Sequence, residues 1–408
     1  MAELARRAVN AAALVAAFVC LPLPSALAQA PAPAAEMAQM PIGHVALSED
    51  PRYDNVLANY QVPPTKWTPT TLQGAQLGIV DAAQIGMAID TEFTLRDATA
   101  ATVDELAATV TGWVGEGVHF VLADLPADQL LALSDALAGQ PVTLFNTSAQ
   151  SDALRGELCR ANVVHTIPSW QMATDAIVQY LVFKNWRNIL VLQGPEPADQ
   201  EIVAAVTQSA RFFGATITEV RPFVLTADPR QRDENNAALV TEGTNYDVVF
   251  IADSVGEFAR NIPYRTNPPR PVVGTAGLTA EAWHWSFERQ GAPQVNSRFQ
   301  QANQNTRMHS YDWAAWAAVR AVTQSVLRAK STDYEPVRDY LLGERMNLDG
   351  SKGNPMSVRP WDHQLRQGML LSAGNSVVEL APLPGFLHET NDLDTLGVDQ
   401  PRTTCRFQ

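Results

Sequence analysis

The chain has 408 residues, enough for two domains of ordinary size, and sets 29 Lys and Arg against 43 Asp and Glu for a net charge of −14. That excess of acid argues against nucleic acid and against an anionic membrane surface as general partners. Hydrophobic residues make up 46% and charged ones 18%, a balance that supports a packed core and argues against global disorder. An anionic ligand in a locally basic cleft stays open. Only Lys66, Lys184, Lys330 and Lys352 are lysines, so most cations are guanidinium forks suited to carboxylates.

Arg6 and Arg7, followed by the apolar run 11–21, read as a secretory signal peptide over residues 1–28. Ala26-Leu27-Ala28 supplies the small-residue cleavage pattern before Gln29. The apolar run is short for a membrane span, and no later stretch of about 18 apolar residues appears. Export to the periplasm is the expectation. Cleavage would remove Cys20 and leave Cys159 and Cys405. Two cysteines in an exported protein suggest one disulfide, tying the C-terminal tail back to the first lobe; two separate thiols are the alternative.

Residues 29–41 are Pro/Ala-rich and read as a flexible leader. A first strand is expected over 42–47, followed by a long loop over 48–71 that offers Glu49, Arg52, Tyr53, Tyr60, Lys66 and Trp67. Residues 72–90 are ambiguous, but their Ala-rich run without a turn fits a helix. Next come a strand at 92–96, a helix at 102–116 capped by Thr102, a buried strand at 118–123, a helix at 127–138 and a strand at 141–145. This alternation implies a parallel sheet with helices on both faces, whose ligands sit beyond the carboxyl ends of the strands. The loops after Leu47, Ala123 and Phe145 therefore share one rim.

The motif His165-Thr166-Ile167-Pro168-Ser169-Trp170 marks a crossing, and the rhythm then repeats. Helices are expected at 171–184, 200–213 and 231–242, and strands at 188–192, 216–221, 247–252 and 271–275, with a short helix reaching Arg260. Residues 277–303 read as irregular, 307–330 as one long helix and 333–343 as another. Short strands are expected at 357–359, 369–372 and 376–380, followed by an extended tail.

This order resembles the type I periplasmic solute-binding proteins of the branched-chain amino-acid class, which serve ABC transporters. The marks are Gln73-Gly74-Ala75 opening the first helix, the run from Leu158-Cys159-Arg160 to Pro168-Ser169, and Ser310-Tyr311-Asp312-Trp313-Ala314-Ala315. A narrower likeness rests on Asp50-Pro51-Arg52-Tyr53 and on Arg359-Pro360-Trp361-Asp362-His363-Gln364. These resemble a subgroup associated with alcohol dehydrogenases that depend on pyrroloquinoline quinone (PQQ). The resemblance implies an α/β fold of two Rossmann-like lobes with parallel central sheets, joined by a hinge and closing like a flytrap. Lobe one is then expected over 42–168 and 304–345, lobe two over 169–303 and 346–380, and the tail 381–408 back on lobe one. It also implies an ABC permease in the inner membrane as partner, PQQ as a possible bound ligand, a periplasmic PQQ-dependent dehydrogenase as a possible partner, and a monomer. The alternatives are a binder of an amino acid or other small carboxylate, a periplasmic ligand sensor for an alcohol dehydrogenase system, and an amide hydrolase.

A flat tricarboxylate quinone needs aromatic faces and Arg or Lys donors. Candidate ligand contacts are Arg52, Tyr53, Trp67, Asp124, Asn146, Thr147, Ser148, Ser169, Trp170, Trp283, Arg307 and His309. Trp285, Lys66, Arg265 and Arg366 are further cleft candidates. The amino-acid binders carry small hydroxyl residues after the third strand of lobe one; Ala123-Asp124-Leu125-Pro126 departs from that pattern. No G-x-S-x-G elbow or P-loop appears, and the seven histidines show no metal-ligand pair at i, i+4, so neither catalysis nor a metal is expected.

Overall fold

The computed structural model describes residues 37–53, 71–224, 229–231 and 233–408. The expected signal peptide lies outside the described residues, as do Tyr60, Lys66 and Trp67. Two sheets organise the chain. The first holds β1 (Ala38–Leu47), β2 (Thr91–Ala100), β3 (Phe120–Asp124), β4 (Thr143–Asn146) and β5 (Val163–His165) in the order β2-β1-β3-β4-β5. Every pairing is parallel, and the register sets Ala46 beside Asp124 and Ala123 beside Asn146. The carboxyl ends of the strands are thereby brought to one rim. Ile42, Val45, Val121, Leu122 and Leu144 are fully buried, as sheets covered on both faces require.

The helices follow their local signals. In α1 (Thr71–Ala88) and α8 (Ser310–Ala329), small residues let two helices approach closely. A Cβ on Gly74 would lie 2.0 Å from the Asp312 carbonyl oxygen, and one on Gly78 would lie 2.7 Å from the Val319 Cβ. Helix α2 (Val103–Gly115) starts at Thr102, whose hydroxyl accepts from Glu105 N, as expected. Helix α3 (Ala127–Ala136) completes this half.

The second sheet has the order β12-β11-β10-β9-β8-β6-β7. Its strands are β6 (Asn188–Gln193), β7 (Thr216–Pro222), β8 (Val248–Ala252), β9 (Val272–Gly274), β10 (Leu278–Glu281), β11 (Met369–Ala373) and β12 (Ser376–Ala381). The first five run parallel, while β11 and β12 extend the sheet antiparallel. Helices α4 (Trp170–Phe183) and α5 (Pro197–Phe213) pack on it; α5 begins with a capping box and ends at Gly214, whose φ of 76° suits glycine.

Several expectations need correction. Residues 38–41 are not leader but the start of β1, where Met40 is buried against the sheet. The segment 357–359 forms no strand, only a single bridge of Val358 with Leu365. The segment 231–242 is not one helix: only α6 (Ala237–Val240) forms, preceded by a single 3-10 turn. Its Asp, Asn and Glu side chains compete with helical hydrogen bonding, and Asn236 caps rather than continues. The run to Arg260 is a turn held by Asp253, which accepts from Gly256 N and Ala259 N. Residues 277–303 are not irregular: they contain β10 and α7 (Ala292–Ala302). Helix α7 packs against α1, and Ala282, Trp283, Val295 and Phe299 join the lobe-one core, so the stretch is divided: β10 stays in the second sheet and residues 282–302 pack with lobe one. Helix α9 (Tyr334–Leu342) follows α8 as expected.

The tail also differs. Leu383 and Leu396 are buried in the lobe-two core, and Asp175 accepts from Gly397 N at 2.7 Å. Only the end reaches lobe one, where Cys405 pairs with Cys159 across a Cα separation of 5.6 Å. The tail therefore spans both lobes instead of returning to one.

Candidate functional site

The rim of sheet one gathers a dense polar cluster. Asp124 ends β3 and is 1% exposed. Its Oδ1 accepts from the Tyr53 hydroxyl at 2.7 Å and from Arg52 Nη2 at 3.1 Å. Its Oδ2 accepts from the Thr71 hydroxyl at 2.6 Å. Arg52 also donates to Asp50, at 2.6 to 3.1 Å, and to the Ser148 hydroxyl at 2.9 Å. Three loops, after β1, β3 and β4, are thus fastened at one point.

Burial works to lower the Arg52 guanidinium, but the Asp50 hydrogen bond and the charges of Asp124 and Asp50 outweigh it and raise it. Burial and the Asp124 charge push the Tyr53 phenol up, and burial does the same to Tyr311 at the start of α8, beside Arg52 and Asp124. His44, on β1, reaches Thr71 Oγ1 through Nε2 at 3.0 Å and Asp97 Oδ1 through Nδ1 at 2.7 Å. A cavity of about 430 Å³ opens on this cluster, lined by His44, Glu49, Asp50, Tyr53, Thr71 and Asp124 among others.

Among the expected contacts, Arg52, Tyr53, Asp124 and Ser148 are brought together here. Asn146 and Thr147 are fully buried and their side chains are spent on local hydrogen bonds. Asn146 closes its own turn, with Nδ2 donating to Ala149 O and Oδ1 accepting from Ala149 N; the Thr147 hydroxyl donates to Ala123 O. Ser169 caps α4 by accepting from Met172 N. Trp170 is the first residue of α4, half-buried against the lobe-two core. Trp283 is a core residue, not a ligand wall: it is fully buried, stacks on Trp313 and donates to Asn296 Oδ1 at 2.9 Å. His309 caps α8, and Arg307 covers the face of Trp285 at 3.5 Å from the ring centroid. Arg366 is committed to Asp394 at 2.8 Å and Arg265 is exposed, so neither joins the cluster.

His44 and Thr71 were not singled out in the sequence, and Asp50 and Tyr311 stood in quoted motifs without being assigned a contact. His44 carried a signal: it is the one polar ionisable residue in the apolar run of β1, and such a residue needs partners when buried.

The crossings between the sheets form a second polar centre. The chain passes from β5 to α4 over residues 166–169, from β10 into the lobe-one core at Ala282, and back to β11 over residues 366–368. Lys352, 1% exposed, donates to Ala282 O, Gly368 O and Gln367 Oε1 at 2.8 to 2.9 Å and sits 3.7 Å from the Trp313 ring centroid. Among the described residues no group of three His, Cys, Asp or Glu is placed to hold a metal ion, and no helix is long and apolar enough to cross a membrane.

A family model described as "Periplasmic binding protein" matches residues 62–259. No curated protein matches. Among solved structures, a branched-chain amino-acid ABC transporter ligand-binding protein from Burkholderia xenovorans is similar at 15% identity and a TM-score of 0.68, over 90% of this chain and 99% of that one. A leucine-, isoleucine-, valine-, threonine- and alanine-binding protein from Brucella ovis gives 12% and 0.64, over 91% and 99%. An R. palustris solute-binding protein in complex with benzoate gives 11% and 0.61, over 91% and 100%. Two parallel-sheet lobes in this order, matched along nearly the whole chain, are the fold of the type I periplasmic binding proteins.

Proposed function

We propose that this chain is a periplasmic solute-binding protein that delivers a small molecule to an ABC permease and carries out no chemistry of its own. The observation that supports this most is the Arg52–Asp124 cluster, which fixes three strand-end loops beneath a cavity on the rim where such folds take ligands. Lobe closure over that rim would expel water and strengthen its charge-assisted bonds.

The ligand would meet Glu49 and Asp50 in the cavity lining, with Arg52 beside them and four of its five N–H donors already used. That arrangement favours a solute with hydroxyl or amino donors, an amino acid among them. PQQ is the finer candidate, supported by the subgroup resemblance. Its three carboxylates would have to take Arg52 from Asp124. Equilibrium dialysis against PQQ, leucine and benzoate separates these readings; uptake of PQQ at micromolar concentration would favour the quinone and a dehydrogenase-linked sensing role.

A further inference from the structure

The face of lobe one that carries α8 and α9 holds a feature separate from the rim. Arg320, Gln324 and Arg328 are spaced by four along α8, so they share one helix face. Tyr340, near the end of α9, and Arg345, in the next turn, complete a surface cavity of about 600 Å³. The Tyr340 hydroxyl donates to the Arg345 carbonyl oxygen at 2.9 Å, which holds that turn in place.

Among the described residues, none of these three guanidiniums forms an ion pair. The one carboxylate in the lining, Asp349, accepts from Ser351 N. Arg320 Nε is buried and has no hydrogen-bond partner. This is unexpected on a chain where 43 acidic residues outnumber 29 basic ones and counter-charges are plentiful. The negative end of the α8 dipole accounts for Arg328, in the last turn, but not for Arg320 eight residues earlier or for Arg345. Arg320 lies over the Trp316 ring at 5.8 Å and Arg345 over the Tyr340 ring at 5.9 Å, contacts that orient the two forks without neutralising them. Converging cations without a carboxylate partner, one with an orphaned buried donor, are what an anion site requires. Three guanidiniums with the neutral donors Gln324 and Asn347 match the charge and oxygen count of a phosphate dianion better than a single carboxylate.

We propose that Arg320, Arg328 and Arg345 form a phosphate-binding site on lobe one, distinct from the interlobe rim. The phosphate could be free or belong to a lipid headgroup, and two arms of one experiment tell them apart. Inorganic phosphate is titrated into the intact protein at low ionic strength by calorimetry, and phosphatidylglycerol vesicles are tested by co-sedimentation. The expected result is saturable binding in one arm or both, weakened at least about tenfold in Arg328→Gln/Arg345→Gln, which changes two exposed side chains and should leave the melting temperature unaltered. Binding to vesicles alone assigns the site to a headgroup, and binding to inorganic phosphate assigns it to a free ion. No binding in either arm, or binding that the double variant leaves unchanged, overturns the proposal.

Discussion

Lys352 donates through Nζ to Gln367 Oε1 at 2.8 Å, and Gln367 in turn donates through Nε2 to Thr166 O at 2.8 Å. With the bonds from Lys352 to Ala282 O and Gly368 O, this buried pair ties the three chain crossings together. Lys352→Met would keep the bulk of the side chain and strand three acceptors. Each buried acceptor left unpaired costs about 1–3 kcal/mol, so a loss of several kcal/mol is expected in denaturant unfolding. Burial also holds the Lys352 amine well below its ordinary value. The unfolded chain then binds this proton more tightly, so the Lys352 contribution to stability rises with pH toward 10.5 and is lost on acidification. That rise should be missing from Lys352→Met.

Asp124 joins three loops on the rim. Asp124→Ala would leave the buried Thr71 hydroxyl without its acceptor and Arg52 short of one carboxylate. Arg52 is part exposed, so its share is screened and the total should be near the low end of the buried-pair range, about 3 kcal/mol by equilibrium unfolding. A change within a few tenths of a kcal/mol of zero would show that the cluster does not hold the loops.

Asp175 supplies a pH-dependent contact between the tail and lobe two. Burial, only partly offset by hydrogen bonds from Ser209, Gly397 and Gln171, raises its carboxyl to about 7. The folded chain binds this proton more tightly than the unfolded one. Its contribution is therefore fully present below 3.8 and is lost as pH rises through about 7. His363, lowered by burial to about 4, works the other way: its contribution is present above 6.5 and is lost as pH falls toward 4. Comparing wild type with Asp175→Asn isolates the first effect: wild type should lose stability relative to the variant as pH rises from 4 to 7.

The Cys159–Cys405 bond closes a loop of 246 residues. Chain-entropy reasoning gives about 5 kcal/mol for a loop of that size, as an upper figure. Cys405→Ser should lower the melting temperature and expose the tail to proteolysis near Leu393–Leu396, which packs on lobe two. Equal melting of wild type and variant in the absence of reductant would contradict this.

The alternating strands and helices of the first 220 residues were legible because buried parallel strands such as Phe120–Asp124 and Asn188–Gln193 carry continuous apolar runs between polar turns. Helix α7 was not, because its register is fixed by Trp283 and Phe299 packing against a distant helix, α1. The rim was half legible. The motif Asp50-Pro51-Arg52-Tyr53 pointed to it, but the partners of Arg52 are 72 and 96 residues away in sequence. Only the register of β1 with β3 brings them together. Trp283 and Asn146 misled because an aromatic or amide beside a loop can equally be a core plug or a turn lock.

A small solute that binds on the lobe-one rim should draw the lobes closed over it. Calorimetric titration of wild type and Arg52→Ala with PQQ, leucine and benzoate, paired with small-angle scattering of each mixture, tests it most directly. The expected result is one-to-one binding of a solute, a smaller radius of gyration on binding, and loss of both in Arg52→Ala. Binding of a solute with no change in radius, or with affinity unaltered by Arg52→Ala, would contradict it.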